Sequence, residues 1–119
     1  MNKTVLIVDD IAAIREFLRS ALTEMGLRVV GEAANGAEGV ALYREFQPDI
    51  VLMDLVMPQM DGLQALEAIR AYDQRAIVIM MSAPFQEELQ ERCLNRGARA
   101  FLAKPFDIQR LLEVLNRIT

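Results

Sequence analysis

The chain has 119 residues, 53% of them hydrophobic, which is the size of one ordinary globular domain around one core, spanning 1–119. Thirteen Lys and Arg stand against 17 Asp and Glu, a formal charge of −4, and the basic residues are scattered, so no footprint for nucleic acid is present. With no histidine and a single cysteine, Cys93, the residues exclude His/Cys metal sites, Ser-His-Asp triads and an internal disulfide.

What remains for chemistry is carboxylates, hydroxyls and lysines. No apolar run approaches the roughly 20 residues of a membrane span, and the N-terminus lacks a signal-peptide plan, so no membrane association and a cytoplasmic location are expected. The sequon Asn2-Lys3-Thr4 is read as chance in that setting.

The first strand, Thr4 to Val8, runs straight into Asp9 and Asp10 in "VLIVDDI". Two adjacent carboxylates at the end of an apolar strand repel each other and call for a cation or strong donors beside them. Ile14, Phe17, Leu18, Ala21, Leu22 and Met25 then repeat with helical spacing until Gly26 stops the helix. A second strand over Arg28 to Glu32 completes a β-α-β unit. In "GEAANGAEG", Gly31, Gly36 and Gly39 lack the spacing and context of a dinucleotide loop and are read as turn and helix-start residues.

The second helix, Ala37 to Phe46, is closed by Pro48, and the third strand, Ile50 to Met53, delivers Asp54 in "LMDLVMPQMDG". Asp61-Gly62 there reads as a turn and helix start rather than as ligands. The third helix spans Gly62 to Ala71. A fourth strand over Ala76 to Met81 ends at Ser82 in "MMSAP", and the fourth helix, Gln86 to Asn95, is closed by Gly97. Its Glu87, Glu88 and Glu91 form a solvated face, and Cys93 faces the core. The fifth strand, Ala100 to Ala103, ends at Lys104 in "FLAKPF", and Ile108, Leu111, Leu112, Leu115 and Ile118 mark the last helix. Met53, Met57, Met60, Met80 and Met81 are packing residues.

Strands that are nearly continuous apolar runs, alternating with helices, predict a parallel sheet covered on both faces, an open three-layer doubly wound α/β fold. Ligand sites in such sheets lie beyond the carboxyl ends of the strands. The residues just past those ends are Asp9, Asp10, Asp54, Ser82 and Lys104. An oxygen-only set of three carboxylates suits a hard divalent cation, Mg²⁺ foremost, which would also relieve their repulsion.

In order at successive strand ends, Asp9-Asp10, Asp54 with Met57-Pro58 and Asp61-Gly62, Ser82-Ala83, Gly97-Ala98 and Lys104-Pro105-Phe106 form a specific pattern. By it the whole chain resembles a receiver domain of bacterial two-component response regulators, and within them the single-domain, chemotaxis or CheY-like type. The resemblance implies the flavodoxin-like strand order 2-1-3-4-5, of which CheY is a standard example. It implies that Asp54 accepts a phosphoryl group from a histidine kinase or phosphotransfer protein. Asp10, Asp54 and the Val56 backbone carbonyl would hold Mg²⁺, with Asp9 acting partly through water, while Ser82 and Lys104 would bind the phosphoryl oxygens. It also implies a cis Lys104-Pro105 peptide, and a switch in which Ser82 moves inward and Phe101 rotates after it. That switch would alter a face made of the fourth helix, fifth strand and fifth helix, where an output protein binds a monomeric receiver.

Such a domain is a switch that catalyses its own phosphorylation and dephosphorylation rather than a turnover enzyme. Two other readings are the receiver half of a longer regulator, for instance a transcription factor, and a Mg²⁺-dependent phosphatase of small substrates; the second lacks any cap insertion to enclose a substrate. Three positions depart from chemotaxis relatives. Val56 and Pro84 flank the phosphoryl site and bear on its dephosphorylation, and Phe101 stands where tyrosine is common and has no hydroxyl to donate. The acidic fourth helix also differs from relatives in which that surface is more basic.

Overall fold

The structure is a computed structural model and describes residues 3–118; part of the sequon Asn2-Lys3-Thr4 lies outside the described residues. Among them, five strands alternate with five helices: β1 Thr4–Val8, α1 Ala12–Glu24, β2 Arg28–Ala33, α2 Gly36–Phe46, β3 Ile50–Asp54, α3 Gly62–Tyr72, β4 Val78–Ser82, α4 Glu87–Asn95, β5 Ala100–Ala103 and α5 Ile108–Ile118. All four strand pairings are parallel, in the order β2-β1-β3-β4-β5. The flavodoxin-like order is therefore the one observed. No helix among the described residues is long and apolar enough to cross a membrane.

Side-chain alternation along the strands divides the core into two layers. Leu6, Val8, Val51, Met53, Val78 and Met80 pack with α2, α3 and α4 through residues such as Val40, Leu66, Ile69 and Cys93. Val5, Ile7, Ile50, Leu52, Ile79 and Met81 pack on the other face with α1 and α5 through Leu18, Leu22, Leu111 and Leu115. The last four residues of β1 and all of β3 and β4 are buried, which is why these segments read as unbroken apolar runs rather than alternating ones.

The helix boundaries follow local chemistry. Asn35 caps α2 by accepting from Glu38 N at 2.8 Å, and Gln47, in the left-handed region at φ 44°, ends it just before Pro48. Asp61 starts α3 with a capping box: Gln64 N donates to Asp61 Oδ1 at 2.9 Å and Asp61 N to Gln64 Oε1 at 3.2 Å. Gly26 and Gly97, at φ 85° and 99°, end α1 and α4.

Most element ends fall within one residue of the sequence reading, and two readings change by more. β4 begins at Val78 because Ala76 N turns back to Asp73 O at 3.1 Å, so Ala76 closes α3's exit instead of extending the strand. Gly31 lies inside β2, beside the Leu6 and Leu42 side chains, and has no turn duty.

Gly62 positions the site directly. Its N–H donates to Leu55 O at 2.8 Å, and a Cβ there would overlap the Asp54 carbonyl oxygen and press on Leu55 Cα. These are backbone atoms that cannot swing aside. Gly62→Ala is expected to cost about 2 to 3 kcal/mol in urea denaturation through this overpacking, with unchanged far-UV circular dichroism.

Candidate functional site

The parallel sheet brings every strand's carboxyl end to one edge, and the polar residues singled out in the sequence gather there. Asp9 follows β1, its amide held by Ala33 O at 3.0 Å; its Oδ1 accepts from Ile11 N at 2.9 Å, turning the chain into α1. Its backbone carbonyl accepts from Arg15 Nη1 at 2.7 Å. Asp54 closes β3, with Oδ1 accepting from Leu55 N at 2.9 Å. From the far side of β4, Lys104 extends its Nζ to 2.9 Å from Asp9 Oδ2 and 3.2 Å from Asp54 Oδ1. Lys104 N donates to Ser82 O at 2.7 Å, and the Lys104–Pro105 peptide is cis.

Asp9 is fully buried and Asp54 is 7% exposed, whereas Asp10 is exposed to solvent. One carboxylate oxygen from each of the three lies within 4.8 Å of the others. This is a cluster compatible with metal binding, and its all-oxygen donor set suits a hard cation. Val56, two residues beyond Asp54, is 56% exposed at the rim.

Burial is the main force on Asp54, raising its pKa from 3.8 to about 6; the Asp9 charge adds to it, and Lys104 with the Leu55 amide only partly offsets both. For Lys104, burial pulls the pKa down, but the Asp9 hydrogen bond and the Asp54 and Asp9 charges outweigh it, so the ammonium is held above its usual value. At neutral pH Asp54 is therefore mostly ionised beside the Lys104 ammonium.

Ser82 is fully buried, and its Oγ accepts from Gln90 Nε2 of α4 at 2.7 Å. Phe101 pairs with Met80 across β4 and β5, packs against the α2/α3/α4 layer, and lines a groove of about 360 Å³ with Leu94, Arg99, Val114, Arg117 and Ile118. A second, apolar cavity of about 470 Å³ opens beside Lys104, between α1 residues Ala13, Ile14 and Phe17, the Pro105-Phe106 turn and Pro84. Lys104 thus meets Asp9 and Asp54 directly with Asp10 within 4.8 Å of both carboxylates, Ser82 faces α4, and Phe101 sits one strand further out. Two contacts went unread in the sequence, Arg15 on the Asp9 carbonyl and Gln90 on Ser82; no motif marks either.

Residues 5–116 match the model of the response regulator receiver domain. The chain is 43% identical over 119 residues to the chemotaxis protein CheY of Thermotoga maritima, covering 100% of this chain and 99% of that one. It is 43% identical over 117 residues to CheY of Bacillus subtilis, covering 98% of both. Among solved structures, a chain of the CheX-CheY-BeF3-Mg²⁺ complex from Borrelia burgdorferi superposes with a TM-score of 0.93 at 38% identity, over 98% of this chain and 90% of that one. The chain belongs to the response regulator receiver family. Its likeness is of the CheY type, a phosphorylation-controlled signalling domain rather than a turnover enzyme.

The raised Asp54 pKa has a measurable consequence in metal-free protein. A carboxyl whose pKa is higher folded than unfolded supports folding fully below the unfolded value, near 4, and that support is lost as the pH rises through about 6. Above that, Asp54 opposes folding by about 2 to 3 kcal/mol. Asp54→Asn is therefore expected to be more stable than wild type in chelator at pH 7.5, by up to that amount. The gap should close between pH 6 and 4 in urea titrations.

Proposed function

We propose that Asp54 accepts a phosphoryl group from the histidine of a kinase or phosphotransfer protein and that the modified protein signals in chemotaxis through the face of α4, β5 and α5. The observation that carries this reading is Lys104 Nζ lying 3.2 Å from Asp54 Oδ1 inside a cluster of three carboxylates. Asp54 offers the nucleophilic oxygen: its bond to phosphorus forms as the phosphorus–nitrogen bond of the donor breaks in line and the imidazole leaves. Since the chain has no histidine, that donor belongs to a partner. Lys104 is a compact positive charge already placed against the acceptor carboxylate, and the Ser82 hydroxyl is a rotatable donor for a phosphoryl oxygen.

Asp10, Asp54 and the Val56 backbone carbonyl would hold Mg²⁺, with Asp9 acting partly through water. Bound there, Mg²⁺ supplies neutralising charge for the phosphoryl oxygens. The Borrelia complex, which contains BeF3 and Mg²⁺, supports the same pairing of ligands for this chain. The output partner would be a protein, with no nucleic acid or membrane engaged by this domain, and the receiver would act as a cytoplasmic monomer. The groove around Phe101, flanked by Arg99 and Arg117, lies on the face assigned to output.

Incubation with acetyl phosphate and Mg²⁺ is expected to add one phosphoryl mass to the wild-type protein and none to Asp54→Asn. Equal uptake by the variant would overturn the acceptor assignment. Asp10→Ala is expected to weaken Mg²⁺ binding at least about tenfold in titration calorimetry, as loss of a ligand does, while its stability in chelator stays level or rises because a repelling charge has gone.

A further inference from the structure

Helix α4 carries two glutamines four residues apart, Gln86 and Gln90, on one face of its first turns. Both reach the end of β4. Gln90 Nε2 donates to Ser82 Oγ at 2.7 Å, and Gln86 Oε1 accepts from Ala83 N at 2.8 Å. Besides Leu89, which packs partly buried against the α2/α3/α4 layer, the helix has little else to fix its N-terminal half: Gln86 at its N-cap makes no side-chain cap bond, and Cys93, two turns on, is its one fully buried residue. Ser82 continues the Val78 and Met80 row that faces the α2/α3/α4 layer, whereas Asp54 continues the Ile50 and Leu52 row of the opposite layer. A Ser82 hydroxyl that turns toward a group on Asp54 therefore leaves Gln90.

We propose that Gln90 is a positioning residue that holds the Ser82 oxygen against α4 in the unphosphorylated protein, so that phosphorylation must break this bond and in doing so releases the N-terminal half of α4. The inference rests on the Asp54 and Ser82 roles proposed above. The held oxygen is an acceptor in this bond, so its proton stays available and the restraint is one of position. A neutral hydrogen bond of this kind biases an equilibrium by a factor on the order of five.

Beryllofluoride with saturating Mg²⁺, followed by NMR of backbone amides, tests the restraint as an equilibrium. Gln90 is partly buried, and Gln90→Met keeps its length without the donor. That variant is expected to reach half-saturation at about one-fifth of the wild-type beryllofluoride concentration, with Mg²⁺ affinity unchanged. In a Ser82→Ala background the same substitution is expected to leave half-saturation where it was, which a general effect on α4 packing would not do. Half-saturation unchanged or raised in Gln90→Met, or an equal shift in the Ser82→Ala background, would overturn the role of Gln90 alone. No uptake by the wild-type protein, or equal uptake by Asp54→Asn, would overturn this inference together with the Asp54 assignment.

Discussion

The site depends on one ammonium group lodged between two buried carboxylates. Asp9 has no exposure and Asp54 almost none, and without a cation between them one would be driven to keep its proton. Lys104 prevents that by approaching both within 3.2 Å. Its long stem makes the contact feasible, since β5 is separated from β3 by β4 and a short side chain would not cross that distance. Removing Lys104 would leave two buried carboxylates without their cation, which costs far more than the intact set contributes. Strand order, parallel pairing and the turn after β5 all serve this meeting of charges.

The balance is nonetheless incomplete. Three carboxylates against one ammonium leave two negative charges, which a divalent cation matches in amount and in donor preference. Asp10, the exposed member, faces water from which such an ion would come, while Asp9 is spent largely on Lys104 and the Ile11 amide. The same buried pair thus stabilises a lysine and leaves a charge deficit for a ligand to fill.

Much of this was legible in the chain because parallel sheets bury their strands on both faces and leave their polar residues at the ends. Asp9, Asp54, Ser82 and Lys104 could be picked out as the residues that interrupt apolar runs. Pro48, Gly26 and Gly97 marked where helices had to stop, and Asp61 with Gly62 gave the start of α3. The misplaced start of β4 had a plain cause: Ala76 and Ile77 are apolar and β-compatible, and only the turn to Asp73 O removes Ala76 from the strand. Gln90 was illegible for a different reason. Between Glu88 and Glu91 it reads as one more polar residue on a solvated face, and the Ser82 contact depends on how α4 is rolled, which local sequence does not encode. Lys104 could be read as a phosphate ligand, but its grip on Asp9, 95 residues away, is a tertiary fact.

The division of the core by strand parity separates two duties. Ser82, Gln90, Met80 and Phe101 all belong to the layer of α2, α3 and α4, while α1 and α5 are fastened to the opposite face by Leu18, Leu22, Leu111 and Leu115, with no member of the Ser82 and Phe101 pair among them. That second layer is ballast. Its α5 half still lines the groove around Phe101 with Val114, Arg117 and Ile118, whereas α1 holds the sheet with no share in that groove. Descendants of this sequence could accordingly trade residues beneath α1 for stability while leaving the groove around Phe101 alone, and could alter α4 without spending the stability that α1 provides.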